Sequence, residues 1–198
     1  MGSFSATDVA DEARILIVTN ATGRKFFDYK EDFFSCLGME SPLYQASFEN
    51  ATMIGSICED GTHAPLLDID FAAKLSVLPN GKQELIMNVW PKEEAVEILA
   101  DVAREVGISG EVGVIDDCGG MLRMVLDCPA VLVPSETPDH FHLYLETKLS
   151  WQQYARFLTA LYRAAVIERG FYDVCFRNEK STLTLPWIRR KSVLPEGY

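Results

Sequence analysis

The stretch Pro65-Leu66-Leu67-Asp68-Ile69-Asp70-Phe71 alternates apolar and acidic side chains from Leu67 onward. Successive residues of a strand face opposite sides, so this spacing predicts a strand that buries Leu67, Ile69 and Phe71 and aims Asp68 and Asp70 together the other way. A second stretch, His140-Phe141-His142-Leu143-Tyr144-Leu145-Glu146, repeats the logic. Phe141, Leu143 and Leu145 take one face, and His140, His142, Tyr144 and Glu146 the other. Carboxylates and imidazoles are thereby expected to converge on one sheet.

Working outward, the chain reads as strands broken by two helices. Strands are expected at residues 14–20, 52–58, 65–71, 74–78, 84–90, 111–115, 122–126, 130–133, 141–146, 172–177 and 183–188. Pro79-Asn80-Gly81-Lys82 predicts a hairpin between the fourth and fifth of these, because Asn and Gly tolerate positive φ. Pro91, with Lys92, Glu93 and Glu94 behind it, opens one helix whose stripe is Val96, Leu99, Ala100, Ala103 and Val106, ended by Gly107. The second helix spans 150–168. Ser150 and Gln153 predict its capping box, and Gly170 its stop. Phe26, Phe27, Tyr29, Phe33, Phe34 and Leu37 read either as one side of a short helix or as core filler in an irregular segment. Asp116-Asp117-Cys118-Gly119-Gly120 reads as a hairpin loop. This order favours an α+β fold with a mainly antiparallel sheet and helices packed on one face.

At 198 residues the chain suits one buried core. Residues 1–12 are expected to form a flexible N-terminus, 13–191 a single α+β domain, and 192–198 a C-terminal tail. No apolar run is long enough to span a bilayer, so no membrane association and a cytoplasmic location are expected. The five cysteines, Cys36, Cys58, Cys118, Cys128 and Cys175, contain no C-x-x-C pair and signal neither a disulfide framework nor a zinc ribbon. The net charge of -11 repels a polyanion, so any nucleic-acid contact must be local. Arg177, Lys180, Arg189, Arg190 and Lys191 offer one such basic patch, or simply a solvated basic tail.

Two acids on one strand face repel unless a cation or a basic group sits between them. Magnesium meets that demand, being commonly held by one or two carboxylates and completed by water and phosphate oxygens. An exposed strand face explains the same pair without any ligand. His140 and His142 read as zinc ligands with a carboxylate or thiolate, as a phosphate donor at His142 beside the Ser135 loop, or as a pair hydrogen-bonded to its neighbours. His63 lies in an expected loop before Pro65 and shows no evident partner.

A strand ending in Asp68-Ile69-Asp70, a loop with Ser135 leading to His142 and Tyr144, then a helix, an acid and final strands resembles the catalytic core of the archaeo-eukaryotic primase superfamily, which includes the primase-polymerases. The likeness covers residues 65–191. It implies an RRM-like, primase-type core that binds a nucleotide with Mg2+ or Mn2+ and joins nucleotides onto nucleic acid, as in DNA replication. By motif position, Asp68, Asp70 and Asp173 would be the catalytic and metal-binding acids, and Ser135 and His142 would contact the nucleotide. Leu183-Thr184-Leu185-Pro186 with Arg189, Arg190 and Lys191 is similar to the family's last core strand and basic end. The chain departs from the pattern in the Ser135–His142 spacing, one residue longer than usual, and in Thr184, where a basic residue is often found. A fold can persist where an activity has been lost. The competing expectation is therefore a non-catalytic acidic protein that binds a basic protein partner. A metal-dependent hydrolase built on the histidines and acids is a third.

Overall fold

The structure, a computed structural model, describes residues 53–58, 60–115, 120–135 and 139–184. The expected strand at 14–20, the aromatic segment from Phe26 to Leu37, the loop at 116–119, the continuation of the last strand beyond Thr184, and Arg189, Arg190 and Lys191 lie outside the described residues. So do the two terminal segments.

The elements follow the order β1 (Met53–Gly55), β2 (Leu66–Ile69), β3 (Ala73–Val77), β4 (Gln83–Met87), α1 (Glu93–Glu105), β5 (Ser109–Ile115), β6 (Met121–Leu126), β7 (Ala130–Pro134), β8 (Phe141–Leu145), α2 (Trp151–Arg163), α3 (Arg169–Asn178) and β9 (Thr182–Thr184). Every pairing is antiparallel, and the strands form sheets ordered β1-β9, β2-β8-β7 and β3-β4-β6-β5. The class is α+β.

Local chemistry explains most boundaries. The β3–β4 turn forms where Asn80-Gly81 predicts it, but only Gly81 takes positive φ, at 83°. The Gly81 N–H donates to the Leu78 carbonyl and the Leu78 N–H to that of Lys82, so the connection is a three-residue loop. In α1, Val96, Leu99 and Ala103 are buried at helical spacing, and Gly107 closes the end with φ 72°. The α2 capping box is present: Ser150 Oγ accepts from the Gln153 N–H, and Gln153 Oε1 accepts from the Ser150 N–H.

After α2 the structure departs from expectation. The helix stops at Arg163, and Gly170 lies in the first turn of α3 instead of ending α2. Residues 172–177, expected as a strand, are helical. Tyr172, Val174 and Phe176 mimic a period of two, yet Cys175 is the buried residue while Val174 and Phe176 are exposed. Phe171, Tyr172 and Cys175 share the inward face, a spacing of three to four, and Arg169 pairs with Asp173 at i,i+4. β9 accordingly pairs with β1.

One core joins the two larger sheets and α2. Leu67, Leu143 and Leu145 from the three-stranded sheet meet Leu85, Met87, Met124 and Leu126 from the four-stranded one, with Phe157 and Leu161 of α2 between them. Each such side chain contributes roughly 1.5–3 kcal/mol on burial. Gln83 ties the sheets at their junction. Its Oε1 accepts from the Ala130 N–H at 2.7 Å and its Nε2 donates to the Ala130 carbonyl at 3.0 Å, so a buried amide satisfies β7 as a neighbouring strand would.

The outer edge of β2 is closed by a phenol. Tyr154 Oη accepts from the Leu66 N–H and donates to the Leu66 carbonyl, while Ser181 Oγ lies 2.6 Å from it. Ser181 is bound in turn to Ser56: the Ser56 N–H donates to the Ser181 carbonyl, and the Ser181 N–H to Ser56 Oγ. His63 completes this buried set, with Nδ1 3.2 Å from Ser56 Oγ and its ring against Trp151 and Tyr154. The residue expected to lack a partner is thus a structural one.

Candidate functional site

β2 and β8 pair with Asp68 opposite His142 and Ile69 opposite Phe141, so one step further Asp70 stands opposite His140. Residues directly opposed in an antiparallel pair share a face. Leu67, Ile69 and Leu143 belong to the buried core cluster, and alternation therefore puts Asp68, Asp70, His140 and His142 on the other side of the three-stranded sheet. The convergence expected from the two alternating stretches is present.

Two carboxylate–imidazole pairs result. Asp70 Oδ1 lies 2.6 Å from His140 Nδ1, and Asp68 Oδ1 lies 3.7 Å from His142 Nε2. The pairs differ in setting: the His142 side chain is 10% exposed and that of His140 34%. β7 supplies the third column. Val133 stands opposite His142, and the Ser135 N–H donates to the His140 carbonyl at 2.8 Å, holding Ser135 beside the histidines. The turn into β8 passes through Asp139 at φ 60°, a left-handed conformation that Asp adopts more readily than most residues.

The charge on Asp68 reaches its surroundings. Burial pushes the Tyr144 phenol well above its usual range, and Asp68 adds to the shift. The Cys175 thiol is pushed up to about 12, chiefly by burial and further by Asp68. Cys175 of α3 is buried, on the inward face of that helix. Asp173 lies two residues earlier, about 200° around the helix axis. Its carboxylate is half exposed and sits 3.4 Å from Arg169 Nε. The strand expected to carry Asp173 is a helix, and that helix puts the acid on its exposed face, opposite buried Cys175.

Among the described residues there is no group of three or more His, Cys, Asp or Glu side chains arranged to hold a metal ion. The sheet instead presents two hard carboxylates side by side, each with an imidazole. That donor set fits magnesium or manganese, which take carboxylate oxygens and complete their shells with water and phosphate. Alternation within the two stretches anticipates the shared face of Asp68, Asp70, His140 and His142, whereas the motif assignment leaves out His140, the histidine in closest contact with a carboxylate. The signal was available, since His140 and Asp70 are each two residues from the pair His142 and Asp68.

Comparison with family models, with curated proteins and with solved structures returns no match.

Proposed function

We propose that the protein binds a nucleoside triphosphate with Mg2+ or Mn2+ on the outer face of the β2-β8-β7 sheet and acts as a primase-polymerase-like nucleotidyltransferase. The observation that carries this reading is the register of β2 against β8, which sets both carboxylates of Asp68-Ile69-Asp70 beside both histidines. Asp68 and Asp70 would hold the metal, which when bound neutralises phosphate charge and activates the attacking oxygen.

The remaining roles belong to the chain's own groups. His142, little exposed and beside Asp68, would donate a hydrogen bond to a phosphate oxygen, with the Ser135 hydroxyl as a second donor. His140 fixes the orientation of Asp70. With Asp173 turned outward, water and the triphosphate would complete the metal's shell. Arg189, Arg190 and Lys191 would supply the local basic contact that nucleic acid requires on a protein of net charge -11.

Calorimetric titration of the whole protein with a non-hydrolysable nucleoside triphosphate tests the proposal. Binding should require Mn2+ or Mg2+, vanish with chelator, and weaken at least about tenfold in Asp68→Ala, with an unchanged circular dichroism spectrum. Absence of metal-dependent nucleotide binding by the intact protein would refute it.

A further inference from the structure

β9 is held by little: three residue pairs with β1, the buried side chain of Leu183, and the polar set around Ser181. In that set Ser56, His63 and Ser181 are all buried. The Ser56 N–H donates to the Ser181 carbonyl, and the Ser181 N–H donates to Ser56 Oγ at 3.1 Å. His63 Nδ1 lies 3.2 Å from the same hydroxyl oxygen. Two of these residues are tied to the body of the protein. His63 exchanges both backbone bonds with Leu149 and sets its ring against Trp151 and Tyr154, while the Ser56 carbonyl accepts from the Ala64 N–H. Ser181 is the member that can leave.

Each hydroxyl proton in the set is committed. Tyr154 donates to the Leu66 carbonyl, so Ser181 Oγ donates to Tyr154 Oη. Ser56 Oγ accepts from the Ser181 N–H, and among the described residues the acceptor for its own proton is His63 Nδ1. That bond needs a neutral ring with its proton on Nε2. A proton added at Nδ1 turns the acceptor into a donor. The Ser56 hydroxyl proton is then stranded, and a charged ring is shut away from water. Both penalties are relieved if Ser181 withdraws and water enters.

We propose that Ser56, His63 and Ser181 form an acid-released clasp: protonation of His63 frees β9 from β1 while the larger sheets stay folded. Release takes Ser181 from Tyr154 and opens the outer edge of β2, the strand that carries Asp68 and Asp70. Among the described residues, the charged groups on the elements around the ring are Glu179 and Lys180 between α3 and β9, Lys148 beside Leu149, and Asp60 on the preceding turn. Lys148 and Asp60 pair with each other at 2.6 Å. Glu179 favours the charged ring, and burial opposes it more strongly, so the clasp is closed at neutral pH. α2 presents Trp151 and Tyr154 to the ring. The clasp works whether or not the carboxylate–histidine face binds a nucleotide.

Amide exchange of the full-length protein, followed by NMR from pH 7.5 to 5 and corrected for the intrinsic rate at each pH, tests this. Protection at Ser181 and Leu183 should fall about tenfold across that range, while β4 and β6 keep theirs. His63→Gln keeps a polar acceptor but takes up no proton, so its β9 protection should not change with pH. His140 and His142 remain in that variant, and any acid effect passing through them would persist there. In the wild type at pH 7.5, long-range nitrogen-15 spectra should place the His63 proton on Nε2. If His63→Gln does not fold, the wild-type titration of His63 must coincide with the loss of β9 protection. Constant protection at β9, an equal loss in β4 and β6, the same loss in His63→Gln, a neutral ring protonated at Nδ1, or a His63 titration that does not coincide with β9 opening would each overturn the proposal.

Discussion

Removing one oxygen atom from Tyr154 should cost this protein a large part of its stability. The phenol is fully buried and engages three groups: it accepts from the Leu66 N–H at 3.1 Å, donates to the Leu66 carbonyl at 2.8 Å, and meets Ser181 Oγ at 2.6 Å. A hydroxyl has one proton and two lone pairs, so once its proton goes to the Leu66 carbonyl, Ser181 must donate to it, and its capacity is then full. Tyr154→Phe keeps the ring and opens almost no space, which isolates the polar term. The Leu66 N–H, buried on the outer edge of β2, loses its partner at roughly 1–3 kcal/mol. The two remaining bonds add about 1 kcal/mol together after rearrangement. The expected loss is therefore about 2–4 kcal/mol, against the 5–15 kcal/mol typical of a folded domain. Urea unfolding followed by circular dichroism should show the midpoint falling with an unchanged slope, and a thermal midpoint lower by roughly 2–4 °C for each kcal/mol. A loss below about 0.5 kcal/mol would mean that water or another group reaches Leu66, and the reasoning about a closed edge would be wrong.

Gln83→Leu strips both side-chain bonds from Ala130, so stability should fall by about 2–3 kcal/mol; hydrogen exchange should speed up at the Ala130 amide first, and unaltered protection there would contradict its role as a bridge between sheets. His63 is held below its ordinary value of 6.5 by burial, against a smaller opposing pull from Glu179. The unfolded chain therefore takes up the proton first, so this contribution to stability is complete above pH 6.5 and lost as the pH falls below it, at no more than about 1.4 kcal/mol per pH unit. Denaturation midpoints measured from pH 7.5 to 5 should slope less in His63→Phe than in the wild type, whereas identical slopes would remove His63 as the cause.

The legible parts of this fold were those in which one residue's neighbours in sequence are also its neighbours in space. Asn80-Gly81, Ser150 with Gln153, and the stripe Val96, Leu99, Ala103 each carry their own geometry, and each stands where the spacing puts it. The candidate site was half legible for a related reason. Alternation within β2 and within β8 set which side chains share a face, but the offset between those strands is a tertiary property. Only the pairing of Asp68 with His142 shows that His140 belongs to Asp70. Residues 171–176 carry no such local geometry. Phe171-Tyr172-Asp173-Val174-Cys175-Phe176 satisfies both a period of two and a spacing of three to four, and burial decides between them. With α2 ending at Arg163, α3 buries Cys175 in the core, and the strand that follows is taken by β1. Asp173 itself entered the expected metal set by motif position in the resemblance, but the helix changes what it shares a face with. An acid on a strand two residues from Cys175 would share its face, whereas on a helix it lies nearly opposite. Which residues Asp173 faces thus depends on a secondary-structure choice that no local residue could make.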